Sequence, residues 1–343
     1  MNAPTTLLRR RNCQGLTLVE LMIATALGAF LILGAVQVYT DSRKAYDVYQ
    51  TSARLQETAR YAMSIIEPDV RLANYWGLLK GAGLINGAAD QGALTAAAGA
   101  LAGAAAISCG KNFSVDLGTF VQGDNDNYGL ACAAYNGRPV VSADTLTVRR
   151  AATTVSAVPA ATVGPLRVCT SRISGQLVNV ATGCVAAPAG QVADLIVHGY
   201  YVARDSTQAA NVPALHQWSL TPTPTFVDNE IISGVEDLQV QFGIDPTGTT
   251  GIATQYVDAF GPALLPAGAQ IMAVRIWLLV RSDVIEVGFT DNNVYQYGNR
   301  ATAIGTVANL NVAGAAGRAY APADRYRRLL VSRTIMLRNA LGT

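Results

Sequence analysis

From Leu21 to Thr40 the chain runs for twenty residues without a charge, rich in Leu, Ile, Val and Ala. Between Arg11 and Asp41 the single charged side chain is Glu20. A helix of about twenty apolar residues is long enough to cross a hydrocarbon core of roughly 30 Å. Basic residues before the run predict that its N-terminal end stays in the cytoplasm and that the bulk of the chain is exported. Beyond Thr40 the pattern changes: Leu55, Ala59, Ala62, Ile66 and Val70 recur at threes and fours, while Arg54, Gln56, Glu57 and Arg60 point elsewhere. This predicts one helix from Leu16 to about Glu67, roughly 75 to 80 Å long at about 1.5 Å per residue. Its second half has one face made for packing. Pro68 is expected to bend or end it near Ile66 or Glu67, because proline removes an amide donor and clashes with the preceding turn. No heptads are sustained, which argues against a long coiled coil.

Lys80 to Gly110 is dominated by Ala and Gly and reads as an irregular connection, with a short second helix as the alternative. After Lys111 short strands alternate with turns. Candidates are Leu146 to Arg149, Leu166 to Val168, Gln176 to Val180, Leu195 to Val202 and His216 to Leu220. Two later segments alternate strictly. Leu238, Val240, Phe242 and Ile244 are separated by Gln239, Gln241 and Gly243, and Val274, Ile276, Leu278 and Val280 by Arg275, Trp277 and Leu279. A last strand is expected from about Leu329 to Leu337. Period-two alternation predicts one buried face per strand, with the amphipathic half of the helix as its cover. The expected fold class is α+β, a long N-terminal helix on an antiparallel sheet.

Half of the 343 residues are hydrophobic, enough for a sizeable core. The formal charge of +2 is misleading, since Arg9, Arg10 and Arg11 stand in the first fifteen residues with no acid beside them. Without these three, 22 basic residues face 23 acidic ones. The composition therefore offers no support for nucleic-acid binding, which needs clustered positive charge. Of five cysteines, Cys13 precedes the apolar run and Cys109, Cys132, Cys169 and Cys184 follow it. None has the C-x-x-C spacing of zinc or redox sites. In an exported segment two disulfides are expected. Of three possible connectivities, Cys109 with Cys132 and Cys169 with Cys184 closes the shortest loops.

An ordinary secretory signal carries its small-residue cleavage site after the apolar run, whereas here Gly15 precedes it. A carboxylate inside an apolar span costs at least about 2.5 kcal/mol and is usually paired and functional; the alternative is that Glu20 snorkels to the headgroups from the helix end. The run Gly15-Leu16-Thr17-Leu18-Val19-Glu20-Leu21-Met22-Ile23-Ala24 resembles the leader signal of type IV prepilins and the related pseudopilins. That resemblance implies a prepilin peptidase that cuts after Gly15 and methylates Leu16. It also implies that Glu20 meets the Leu16 amine of a neighbouring subunit. Leu stands at position 16 where the family more often has Phe.

The segments Ile232 to Asp245, Ala273 to Ser282, and Tyr326-Arg327-Arg328 through Leu337-Arg338-Asn339 resemble the PilW family of minor pilins. The implied organisation is a leader over 1–15, a transmembrane helix over 16–40, its amphipathic continuation over 41–70, the Ala/Gly-rich connection over 71–110 and a β-rich periplasmic head over 111–343. The implied function is participation in type IV pilus assembly, as part of a priming or tip complex, with other minor pilins, the major pilin and the inner-membrane assembly platform as partners. A minor pseudopilin of a type II secretion system is the alternative. An anchored periplasmic hydrolase is a third reading of a different class.

Enzyme chemistry finds little support. His198 and His216 are the only histidines, each inside an expected strand, and no G-x-S-x-G, H-E-x-x-H or phosphate-cradling glycine motif occurs. Gly123-Asp124-Asn125-Asp126-Asn127 gathers hard oxygen ligands that suit calcium, but it lacks the glycine and distal glutamate of an EF-hand and reads as a polar turn. No cofactor or metal is expected. Arg325, Arg327, Arg328, Arg333 and Arg338 read as a solvated strand face, with salt bridges to a neighbouring subunit as the alternative.

Overall fold

A computed structural model describes residues 15, 17–88, 109–110, 112–157, 164–179, 190–260, 265, 267–312 and 314–340. The chain divides into two compact units, Met1–Ser52 and Ala53–Thr343. A single helix, α1 (Leu18–Arg71), enters both. It does not stop at the expected point, because Pro68 sits within its last turn. There the missing donor costs one backbone bond only, and Asp69 and Val70 beyond it are held in the interior of the second unit.

In the first unit, the apolar side chains from Leu18 to Tyr39 are exposed along the helix. An 18-residue window has a mean hydropathy of 2.2 with none of it buried. By length and composition this stretch can cross a membrane.

In the second unit, fourteen strands follow the helix among the described residues. The larger sheet contains β1 (Ile85–Asn86), β2 (Val121–Asp124), β3 (Thr145–Ala151), β4 (Arg167–Thr170), β5 (Gly175–Val178) and β6 (Gln191–Ala203), in the order β1-β5-β4-β6-β3-β2. It is extended by β7 (Ala214–Leu220) on β6 and β8 (Phe226–Ser233) on β7. Its pairs are antiparallel except β1 with β5, so the head is mixed and not purely antiparallel as expected. The smaller sheet is antiparallel, ordered β10 (Gln255–Asp258), β9 (Val235–Asp245), β11 (Gln270–Arg281) and β14 (Arg328–Met336). β12 (Ala301–Val307) and β13 (Arg318–Tyr320) form a separate parallel pair.

Gly234 joins the two sheets. Its φ of +86° lies in the left-handed region, and a Cβ there would stand 2.9 Å from the carbonyl oxygen of Arg281. That close approach lets the Gly234 N–H donate to Pro213 and its carbonyl accept from Arg281, locking the end of β8 to the start of β9.

The helical stripe Leu55, Ala59, Ala62, Ile66 and Val70 is buried, joined by Met63. It shares one core with Leu238, Val240, Phe242, Ile276, Leu278 and Ile335 of the smaller sheet. A second core under the larger sheet gathers Trp76, Phe113, Leu117, Val168 and Leu177, and the Cys109–Cys132 disulfide borders it. Cys169 is also disulfide-bonded, while Cys184 lies outside the described residues. Most of the Ala/Gly-rich connection lies outside them too. Its described start forms a 3-10 turn, Ala82–Leu84, and β1.

Burial departs from the one-faced expectation at β9, where Asp237, Gln239 and Asp245 are as buried as the apolar residues between them. At Asp245 the turn over 247–251 donates to the carboxylate, and at Asp237 the cover comes from the segment carrying Tyr297 and Arg300. Arg300 Nε donates to Asp237 at 2.7 Å, both side chains fully buried, and the Tyr297 hydroxyl donates to the same carboxylate at 2.6 Å. A buried ion pair is retained only where its remaining valences are satisfied. Arg300 Nη2 meets that condition by donating to the Ser142 carbonyl at 2.7 Å.

Candidate processing and assembly site

The helix begins with a local device. Thr17 stands just before α1, its Oγ1 accepts the backbone N–H of Glu20 at 3.2 Å, and its carbonyl accepts the N–H of Leu21 at 3.1 Å. The Thr17 hydroxyl also lies 3.5 Å from Glu20 Oε2. Thr17-Leu18-Val19-Glu20 is thus an N-capping arrangement of the T-x-x-E kind, which satisfies donors that the first turn would otherwise orphan. Glu20 lies in the first turn, where a carboxylate is favoured by the helix dipole. Both residues are exposed. Gly15 precedes them in open space, with nothing within 4 Å of where a Cβ would be. Leu16 lies outside the described residues. Thr17 belongs to the prepilin-type run, but its capping role was not expected, although T-x-x-E before an apolar run is the signature of one.

At its other end the helix is fastened to the head by charge. Asp69 is buried, and its carboxylate accepts from Arg150 Nη2 at 2.6 Å, from the Tyr200 hydroxyl at 2.5 Å and from His198 Nδ1. Burial alone would raise its pKa. The His198 hydrogen bond and charge, with Arg150 and Tyr200, outweigh that and hold it at about 2. This gives His198 a place as an anchor for the helix. His216 is buried at another point of the larger sheet, facing Asp228 Oδ1 at 3.2 Å and stacked on Tyr135 with centroids 5.1 Å apart.

The Gly123–Asn127 segment is the end of β2 and a turn. Asp124 accepts from Thr145 Oγ1 at 3.0 Å, and the Asp126 N–H donates to Asp144 at 2.8 Å. Among the described residues no group of three His, Cys, Asp or Glu is placed to hold a metal. The terminal arginines divide: Arg325, Arg333 and Arg338 are exposed as a solvated face would be, whereas the Arg328 side chain is fully buried, and there the expectation fails. Arg328 is a buried hub for Glu236 at 2.5 Å, Asp324 at 2.7 Å and Asp291 at 3.2 Å, while Arg327 pairs with Glu286 and Arg333 with Glu67. Arg328 is enclosed because the segment from Asp291 to Asp324 folds Asp291 and Asp324 over the start of β14, where Glu236 of β9 joins them.

A family model for the type IV pilus-assembly protein W matches residues 199–339, and one for the prokaryotic N-terminal methylation motif matches residues 10–36. Residues 199–339 are thus a PilW-family region, and residues 10–36 carry a prepilin-type methylation motif. Among solved structures it is similar to a type IV-like pilin from Thermus thermophilus, at 17% identity, covering 58% of this chain and 80% of that one, with a TM-score of 0.26. No curated protein matches it. The PilW match takes in β7 to β14 and therefore the sheet on which the helix packs, the Asp237–Arg300 pair and the Arg328 hub. Asp69, Arg150 and the Cys109–Cys132 disulfide stand outside both matches.

Proposed function

We propose that this chain is a minor subunit that takes part in type IV pilus assembly, in a priming or tip complex. In this reading a prepilin peptidase removes residues 1–15 and methylates Leu16, and the apolar half of α1 holds the subunit in the inner membrane with its head in the periplasm. On assembly that half bundles with the helices of the major pilin and other minor pilins. The new amine at Leu16 is an expensive charge in a low-dielectric bundle unless it meets a carboxylate. Glu20 supplies one, since its contact with the Thr17 hydroxyl at 3.5 Å leaves most of its acceptor capacity free. Glu20 then sets the stagger between subunits. The observation that carries the reading is a capped helix whose first half is apolar with no side chain buried and whose second half is an integral part of a large head.

Mass spectrometry of the N-terminus tests it. With prepilin peptidase present, the mature chain is expected to begin at a methylated Leu16, and without the enzyme at the intact leader. An intact Met1 in both cells, or cleavage beyond Thr40, would overturn the proposal. Glu20→Ala is expected to leave cleavage unchanged while removing the subunit from sheared pili. A deletion that abolishes protein secretion and spares pili would move the chain to a secretion machine.

A further inference from the structure

We propose that the open edge of β14 is a docking site for an added strand, donated by an acidic extended segment of a different pilus subunit. The inference rests on the pilus-assembly reading above and names the surface and the chemistry of the partner.

β14 ends the smaller sheet, paired on one side with β11 through Arg281↔Arg328 to Ala273↔Met336. The Leu337 N–H donates to Met272 and the Ser282 N–H to the Arg327 carbonyl, so odd-numbered residues turn their backbone groups toward β11. Alternation then points the N–H and C=O of Leu330, Ser332 and Thr334 away from the sheet. Among the described residues no backbone bond reaches them. Natural proteins shield such edges with short strands, bulges, prolines or a covering element. Here nine residues run with a regular register and no proline, and Ser332, Arg333 and Thr334 are exposed.

Beside the edge lies a groove of about 530 Å³ between α1 and β14, lined by Ala59, Arg60, Met63, Glu67, Val331 and Arg333 among others. A strand laid on β14 would send alternate side chains into this groove, over Ala59, Met63 and Val331. Its other side chains would lie beside Ser332 and Thr334. The main-chain bonds supply affinity and the groove supplies selectivity.

Charge decides the occupant. Glu67 is shared by Arg71 and Arg333, and Arg60 has no ion partner among the described residues, so three arginines face one carboxylate. A second copy of this chain would bring the same excess against itself. Antiparallel pairing centred on Ser332 sets Arg333 diagonal to its copy, about 7–8 Å apart, where like charges destabilise. An acidic segment of another subunit meets the excess instead.

The test uses the full-length chain in pilus-forming cells, with a photoreactive benzophenone amino acid in place of Ser332 or, as control, of Ile173, which is 81% exposed in another part of the head. Cross-linked peptides are mapped by mass spectrometry. The expected product joins position 332 to an extended acidic segment of a different subunit that carries its own prepilin-type leader; position 173 gives no such product. The double variant Arg60→Glu, Arg333→Glu is expected to lower the yield about tenfold. Ser332→Pro removes one outward N–H without touching a β11 bond and should do the same. A cross-link to a second copy, or none at position 332 in cells where the chain is cleaved after Gly15 and needed for pili, overturns the proposal. If instead the chain is not cleaved there and pili form without it, the pilus-assembly reading itself fails and the proposal falls with it.

Discussion

Residues 18–52 and residues 53–71 belong to one helix, yet they meet opposite conditions. The first stretch exposes Leu, Ile, Phe and Val around its circumference, which in water would be an aggregation liability and in lipid or a helix bundle is an asset. The second stretch confines its apolar residues to one stripe and gives the rest to Arg, Gln and Glu. Backbone geometry is the same in both. The difference lies in the solvent each was built for, and it separates two jobs: the first half is available for assembly, while the second is a structural rib of the head.

The largest test of that separation is truncation within each half. Ile66 is fully buried in the core shared with the smaller sheet, so Ile66→Ala is expected to cost about 2–5 kcal/mol through lost burial and the cavity left behind. Leu27 is exposed in the first half, and Leu27→Ala should change head stability by less than about 0.5 kcal/mol. Both are read by denaturant unfolding of the full chain in detergent, followed by the fluorescence of Trp76, Trp218 and Trp277. Equal losses for the two variants would break the comparison.

A mid-sized test concerns how the second half is held. Asp69 keeps its carboxyl at about 2 against an ordinary 3.8. A depressed pKa means that the folded state prefers the ionised form. Its contribution is therefore complete above about pH 4 and lost as pH falls through about 2. The linkage amounts to about 2 kcal/mol. Relative to Asp69→Asn, which cannot titrate, the parent chain is expected to lose that much stability between pH 4 and pH 2. Parallel curves for the two proteins would show that Asp69 does not anchor the helix.

Much of this contrast was legible in the residues alone. The charge-free run after Glu20 and the stripe from Leu55 to Val70 announce the two halves, because a helix writes its environment into a period of 3.6. Strands β3, β4, β5, β6, β7, β9, β11 and β14 were legible from their apolar and alternating runs. Asp69, Asp237 and Arg328 were not. A charged residue at an alternating strand position or helix end reads as solvent-facing. Only the tertiary path of the segment from Asp291 to Tyr320 reveals that Asp237 and Arg328 face inward, and partners such as Tyr297 and Arg300 lie some 60 residues from Asp237. Pro68 misled for the opposite reason: its local penalty is real, but packing beyond it carries the helix on to Arg71.

The smallest expected effect lies at the start of the helix. There the Thr17 hydroxyl satisfies a first-turn backbone donor that would otherwise stand alone. Thr17→Val keeps the β-branched shape and removes the oxygen that accepts the Glu20 N–H. Loss of an N-cap costs about 1 kcal/mol, confined to the first turn. Amide exchange at Glu20 and Leu21 of the full chain in detergent should therefore quicken about fivefold, while the amides of β9 and β11 keep their rates. Thr17→Ser retains the oxygen and is expected to keep the parent rate. If Thr17→Val also speeds exchange in the head, the two halves are energetically one unit, and the division of labour along the helix fails at its weakest point.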